Sequence, residues 1–281
     1  MQKIMVRLSA FADEISADLQ EQIAVLQSEH IHFLDLRGAW GVNVLDLSDE
    51  QVSAVKQALD AAGIGVAAIG SPIGKVPLNS SFEEHLQRFE RAIAVAHRLE
   101  TLYIRIFSFY PPAGAGAQDW SAHREEVIRR MHELTLRAQA EGVVLLHENE
   151  KDIYGDTIAR CVDLLRSINS EHLRAVLDPA NFLQCDQEPY PDAYERLHPW
   201  LEYVHVKDVR ADGTLTVAGD GAAHWPELLQ RLRADGYNGF LSLEPHLALA
   251  GQYQGFSGSD RFRRASQALQ DLLRAMNWDY A

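Results

Sequence analysis

The sequence predicts a (β/α)8 barrel, and three observations predict it. Short apolar runs alternate with segments of helical periodicity eight times along the chain. Those runs are apolar on successive residues, as parallel strands covered on both faces require. Four consecutive runs end in a carboxylate or an imidazole: Val143–Glu150 (VVLLHENE), Arg174–Asp178 (RAVLD), Tyr203–Asp208 (YVHVKD) and Phe240–Glu244 (FLSLE). Strict alternation implies a parallel sheet with right-handed crossovers, and eight such units close most often into a barrel. An open doubly wound sheet is the alternative. Its first βα turn here reads LSAFADE, without G-x-G-x-x-G, so dinucleotide binding has no support.

The elements follow in order. Met5–Phe11 is the first strand, and Ser16 caps a helix to about Glu29 with Leu19, Ile23 and Leu26 at helical spacing. Ile31–Leu36 is strand two, followed by a helix from Ser48, with Val52, Val55 and Leu59 inward, that stops at Gly63. Gly65–Ile69 is strand three and leads into GSPIGK. Ser81 caps helix three, whose inward face is Phe82, Leu86, Phe89, Ile93 and Ala96. Leu102–Phe107 is strand four. Tyr110–Gln118 (YPPAGAGAQ) is a Pro/Gly loop, placed as a flap on the face where the strands end. Helix four spans Ser121–Glu141, strand five follows Gly142, and helix five spans Thr157–Ile168. Ala175–Leu177 is strand six, with a short helix at Asp192–Leu197 and strand seven at Tyr203–Val206. Asp212-Gly213 signals a hairpin turn inside a small excursion. Trp225–Ala234 is a helix with Pro226 in its first turn, Phe240–Leu243 is strand eight, and Phe262–Met276 is the last helix. No linker or internal repeat divides residues 1–281, so the expectation is one barrel domain.

Composition narrows the class. Hydrophobic residues make up 47% and charged residues 23%, as in globular proteins. A net charge of −14 argues against general affinity for nucleic acid or an anionic membrane, since both lean on Lys and Arg. No run approaches the roughly 18 apolar residues of a membrane span, and Asp13 and Glu14 interrupt any signal-like segment. Cys161 and Cys185 form no metal-like spacing and no disulfide framework. The expectation is a cytoplasmic protein.

In a barrel, strand ends converge at the C-terminal face. Glu148, Asp178, His205 and Glu244 are separated by 30, 27 and 39 residues, about one βα unit each, so each occupies an equivalent place on its own strand. Three carboxylates and an imidazole make a hard, mostly oxygen donor set, which favours Mn²⁺, Mg²⁺ or Co²⁺ and leaves Zn²⁺ open. Period two along the strands turns Lys207 the same way as His205, and His246 the same way as Glu244. Arg37 and Asp35 on strand two and Arg105 on strand four have inward parity as well. Arg105 fits equally a packed, paired arginine of the barrel floor. A single strand-end carboxylate is usually solvated surface or a cap, and Asp178-Pro179 and Glu244-Pro245 also read as turn starts. The coincidence on four successive strands favours the metal reading. His32, His147 and Glu150 read as flanking structure. Trp40, Tyr110, Trp120 and Phe256 read as core packing, an aromatic wall beside a ligand or a contact between copies.

HENE at Glu148, LDPANF at Asp178, HVKD at His205 and Lys207, and LSLEPH at Glu244 resemble the xylose isomerase-like TIM barrel superfamily, in its sugar phosphate isomerase/epimerase branch. GSPIGK and IYGDT (Ile153–Thr157) are similar to further signatures of that branch, and the likeness spans essentially the whole chain. The resemblance implies one divalent metal, Mn²⁺ favoured, on Glu148, Asp178, His205 and Glu244. It also implies that the two glutamates act as an acid/base pair on a carbohydrate. One would remove the proton alpha to a carbonyl, giving an enediolate, and the other would return a proton: to the opposite face in epimerisation, to the neighbouring carbon in isomerisation. Loss of a β-hydroxyl instead gives dehydration, as in inosose dehydratase-like relatives. Lys207, Asn181, His246, Arg37 and Arg105 are the candidate substrate-binding residues. The branch often carries Asp-x-x-His on strand six; Asn181 stands at that His, so this position cannot titrate. An endonuclease IV-like repair enzyme would need extra histidines that strands three and four lack. A non-catalytic sugar-binding barrel is the rival of a different class, and a homo-oligomer is compatible with the sequence.

Overall fold

The protein is described by a computed structural model covering residues 5–112, 120–247 and 257–281. Eight parallel strands form the sheet: β1 (Arg7–Ala10), β2 (Phe33–Leu36), β3 (Gly65–Ile69), β4 (Tyr103–Ile106), β5 (Val144–Glu148), β6 (Leu173–Leu177), β7 (Leu201–Val206) and β8 (Phe240–Leu243). Each pairs in parallel with its sequence neighbour from β2 to β8, and β1 pairs with β8. A parallel bridge between Phe11 and Asp35 joins β1 to β2 at the remaining seam. The result is the barrel expected from alternation.

The helices surround it: α1 (Leu19–Ser28), α2 (Asp49–Ala62), α3 (Phe82–Arg98), α4 (Arg124–Ala140), α5 (Ile158–Ile168), α6 (Pro179–Leu183), α7 (Tyr194–Leu197), α8 (Trp225–Ala234) and α9 (Ser259–Ala275). Local chemistry explains their ends. Ser48 and Gln51 form a reciprocal capping box at α2, and Gly63 ends it with φ +69. Ser81 and Thr157 cap α3 and α5. Helix α1 departs from expectation: Asp18, not Ser16, is its cap, accepting from the Glu21 N–H, while Ser16 Oγ accepts from the Asp18 N–H in the turn before. Helix α4 starts at Arg124 rather than Ser121, because residues 121–123 are spent in a turn after Trp120. Helix α9 starts at Ser259, ahead of the expected Phe262.

Two pieces of local structure were not expected from periodicity. Helix α6 is one short turn, capped by Asp178 and begun by Pro179. A two-residue ribbon pairs Gly38–Ala39 with Val42–Asn43 directly after β2. The excursion after β7 contains the expected hairpin, with Asp208–Val209 against Leu215–Thr216.

Most of the core lies between sheet and helices, where Leu8, Leu34, Ile104, Leu145, Leu177, Val204 and Leu241 meet the inward helix faces. A second cluster joins alternate residues of several strands: Leu146, Val176, Tyr203 and Phe240, with Phe33 and Tyr103 against them. It fills the barrel interior, and each such side chain stabilises the fold by about 1.5–3 kcal/mol when buried. Tyr203 stacks on Phe240, with ring centroids 5.4 Å apart. Above this plug sits a buried polar layer. Asp35 accepts from Tyr203 Oη at 2.6 Å, from Ser9 Oγ at 3.1 Å and from Ser242 Oγ. The next inward residues along the same strands carry the candidate site.

Among the described residues no helix is long and apolar enough to cross a membrane. Cys161 and Cys185 are both free thiols.

Candidate metal centre

Glu148, Asp178, His205 and Glu244 are all buried, and one ligand atom from each lies within 4.8 Å of the other three. Alternation puts them there: Leu146, Val176, Tyr203 and Ser242, two residues earlier on the same strands, fill the interior one layer below. The strand ends then need main-chain partners. Asn149 supplies them between β5 and β6: its Oδ1 accepts from the Asp178 N–H and its Nδ2 donates to the Asp178 carbonyl, both at 2.9 Å. The amide thus extends the ladder by one rung where the backbones part.

Each carboxylate has at least one oxygen committed to the protein. Asp178 Oδ1 accepts from the Asn181 N–H at 2.9 Å as the cap of α6. Glu244 Oε1 accepts from Arg37 Nη1 at 2.9 Å. Glu148 Oε2 accepts from Arg105 Nη1 at 3.1 Å. The other side of each faces the centre. Asp178 Oδ2, Glu244 Oε2 and His205 Nδ1 are buried without a hydrogen-bond partner. Close charges surround them without hydrogen-bond geometry: Lys207 Nζ is 2.8 Å from Asp178 Oδ2, and His205 Nδ1 is 3.1 Å from Glu148 Oε1. Orphaned acceptors at the middle of a buried cluster are what a cation would satisfy. Oxygen-rich donors with one imidazole suit a divalent ion. The residues present therefore fit a divalent metal.

All five expected accompanying residues reach this cluster. Lys207 Nζ is also 3.5 Å from Glu244 Oε2. Arg105 is 3.5 Å from Glu244 Oε1, and its Nη2 donates to the Gly70 carbonyl at 3.2 Å, so GSPIGK backs the arginine. Arg37 pairs with Asp13 at 2.7 Å, Glu14 at 3.2 Å and Glu244. His246 Nδ1 is 2.6 Å from Glu14 Oε1, and its Nε2 is 3.5 Å from Glu244 Oε1. Asn181 Nδ2 donates to Glu148 Oε1 at 3.2 Å and to the Asn149 carbonyl at 2.9 Å.

These neighbours set the charges. Burial pushes Glu148 up, but His205 and Arg105 outweigh it and bring the carboxyl down to about 2. Burial likewise opposes ionisation of Glu244, and Lys207 and His246 hold it well below the usual carboxylate range. Burial wins at Asp178, which is raised to about 6 against the pull of Lys207. His246 is lowered by burial yet raised further by Glu244 and Glu14, to about 9.

The other residues singled out from the sequence are placed as follows. His147 is buried, with Nε2 3.0 Å from Ser108 Oγ. The glycine of IYGDT explains that motif: a Cβ on Gly155 would sit 2.4 Å from the His147 ring. Glu150 pairs with Lys75 at 3.0 Å. Trp120 is buried edge-on to Tyr154, whereas Trp40 is 40% exposed. Phe256 and most of the Tyr110–Gln118 flap lie outside the described residues. Three contributors were missed from sequence. Asn149 stands inside HENE, where the sequence singles out only Glu148. Glu14 anchors both Arg37 and His246. Asp208 accepts four backbone N–H groups, from Val209, Gly219, Gly221 and Ala223, and so ties the excursion down beside Lys207. The aspartate in HVKD, followed by a glycine-rich stretch, was the available signal.

Comparison with known proteins agrees with this architecture. The sequence profile of the xylose isomerase-like TIM barrel family matches residues 31–275. A comparison with curated proteins gives no match. Among solved structures, a D-tagatose 3-epimerase-like protein is 16% identical, with TM-score 0.77 over 97% of this chain and 98% of that one. The probable 3-DHS dehydratase AsbF of Bacillus anthracis is 18% identical, with TM-score 0.73 over 95% and 98%. The IOLI protein with a bound zinc atom is 15% identical, with TM-score 0.73 over 96% and 99%. At such identities the structural likeness speaks for the fold alone, and the profile match carries the conclusion: this chain belongs to the xylose isomerase-like TIM barrel family.

Proposed function

We propose that the protein is a divalent-metal-dependent sugar or sugar phosphate isomerase or epimerase that works by proton transfer alpha to a carbonyl. One observation carries the reading: four ligand atoms from the ends of four successive strands converge within 4.8 Å, amid orphaned buried acceptors. Glu148, Asp178, His205 and Glu244 would hold the ion, with Mn²⁺ favoured by the hard donor set. When bound, it supplies Lewis-acid polarisation of a carbonyl oxygen, worth several kcal/mol.

The chain's own residues do the rest. Both glutamates are held ionised at neutral pH, so both enter as proton acceptors. Arg105 and Asn181 fix the orientation of Glu148, and Arg37 fixes Glu244. One glutamate removes the alpha proton; the other, once it has taken up a proton from a substrate hydroxyl or from water, returns it from the far side. Lys207, Arg105 and Arg37 stand where negative charge develops on substrate oxygen. Asn181 and His246 hold hydroxyl groups. Burial of the cluster keeps bulk water from quenching the carbanion.

The test is product analysis. Mn²⁺-loaded protein is incubated with ketoses, their phosphates and inososes, and products are read by NMR. An inverted carbinol centre marks an epimerase, an aldose an isomerase, and loss of water a dehydratase. Glu148→Gln and Glu244→Gln each lower turnover by about 10²–10⁴-fold. Normal turnover in either variant sinks the assignment. Tight sugar binding with no turnover marks a non-catalytic sugar-binding barrel.

A further inference from the structure

We propose that Lys207 is an internal counter-ion that competes with the metal for Asp178 and Glu244, and that metal binding ejects its ammonium from the cluster toward the substrate. The inference rests on the metal reading above and concerns how this chain tunes that site.

The argument starts from oxygen supply. Asp178 has one oxygen to offer, because Oδ1 is held by the Asn181 N–H at the start of α6. The remaining Oδ2 is 2.8 Å from Lys207 Nζ. Glu244 is placed alike: Oε1 is held by Arg37, and Oε2 lies 3.5 Å from Lys207 Nζ. So the two oxygens that face the centre are the two that Lys207 approaches. A divalent ion binds carboxylate oxygen at about 2.0–2.2 Å. Ion and ammonium cannot both stay that close to Oδ2, because like charges at this separation repel strongly in a buried site.

Arg105 and Arg37 are placed differently. They bind Glu148 Oε2 and Glu244 Oε1, the oxygens opposite the inward ones, and their guanidinium groups are also fixed by Gly70 and by Asp13 and Glu14. They orient ligands without occupying the inward oxygens. Lys207 alone among these cations has a flexible four-carbon stem and a compact charge at the contested atom. Its buried ammonium offsets the charge of two carboxylates, Asp178 and Glu244, when no metal is bound. Its release on loading then supplies a free ammonium next to the polarised carbonyl, which couples metal binding to binding of anionic oxygen.

The test is Mn²⁺ titration calorimetry on metal-stripped wild type, Lys207→Met and Lys207→Gln. Competition predicts that both variants bind Mn²⁺ at least tenfold more tightly than wild type, while their metal-free forms melt at lower temperature. Unchanged or weaker Mn²⁺ binding overturns the inference, because a residue that merely supports Asp178 weakens the site when lost. Lys75→Met is the control: Lys75 has the same charge but pairs with Glu150 over the Phe107 ring, so its affinity stays within twofold. An equal gain there assigns the effect to net charge and also overturns the inference. A measurement on wild type stands apart from variant folding. Crystal structures without and with Mn²⁺ are expected to move Nζ beyond 4 Å from Asp178 Oδ2; retention near 3 Å in the loaded protein overturns the inference. Wild type that binds no divalent ion removes the metal reading itself, whereas binding without the lysine effect removes only this inference.

Discussion

Replacing Asn149 by alanine tests the way the centre is built without touching a candidate ligand. Asn149 is buried, and its amide makes two 2.9 Å hydrogen bonds to the main chain of Asp178, which is itself fully buried. The substitution leaves the N–H of Asp178 unpaired where water does not reach, while its carbonyl keeps only the 3.3 Å bond from the Phe182 N–H. An unpaired buried N–H costs about 1–3 kcal/mol, so the variant is expected to lose about that much. That is a large share of a typical total of about 5–15 kcal/mol. Urea unfolding of metal-free wild type and variant, followed by circular dichroism, gives the difference from the midpoint and slope. The same variant should weaken Mn²⁺ binding, since Asp178 loses the rung that fixes its backbone. A loss below about 0.5 kcal/mol with unchanged metal affinity would refute the claim that Asn149 continues the β5–β6 ladder and seats Asp178.

Two further predictions concern the loop behind Arg105. His85 Nε2 accepts from the Gly74 N–H at 3.1 Å, and burial, with Arg130 and Arg88 nearby, lowers its pKa to about 4. The folded value is below the unfolded one, so this contribution is whole above about pH 6.5 and is lost as pH falls toward 4, by about 3 kcal/mol. His85→Gln, which keeps an acceptor and cannot titrate, should remove that share of the acid sensitivity; an unchanged pH profile by urea unfolding would contradict it. Gly74→Ala should cost at least about 2 kcal/mol, because φ is +87 and a Cβ would lie 2.0 Å from the Phe107 carbonyl oxygen. A thermal midpoint equal to wild type would show that the turn after β3 is not so constrained.

Much of the site was legible in the chain because strand parity is a one-dimensional signal. Glu148, His205 and Glu244 stand two residues beyond buried interior residues on their own strands, and the barrel rule brings those ends together. The same parity turned Lys207, Arg105 and Arg37 inward. What was not legible depends on neighbours far apart in sequence. Glu14 acts through Arg37 and His246, 23 and 232 residues away. Asp35 draws Ser9, Tyr203 and Ser242 from three other strands. Local competition between acceptors moved the start of α1, since Asp18 and Ser16 both suit a cap and only one directly precedes the inward Leu19. Helix α6 is too short to show periodicity; its signal was Asp178-Pro179, read as a turn.

The most direct measurement is solvent exchange. Protein in D2O is incubated with Mn²⁺ and a ketose panel, with and without a chelator, and carbon-bound deuterium is read by mass spectrometry and NMR. The account predicts deuterium at the carbon alpha to the carbonyl, abolished by the chelator and by Glu148→Gln. Exchange that persists after chelation, or no exchange from a protein with bound Mn²⁺ across the panel, would contradict it.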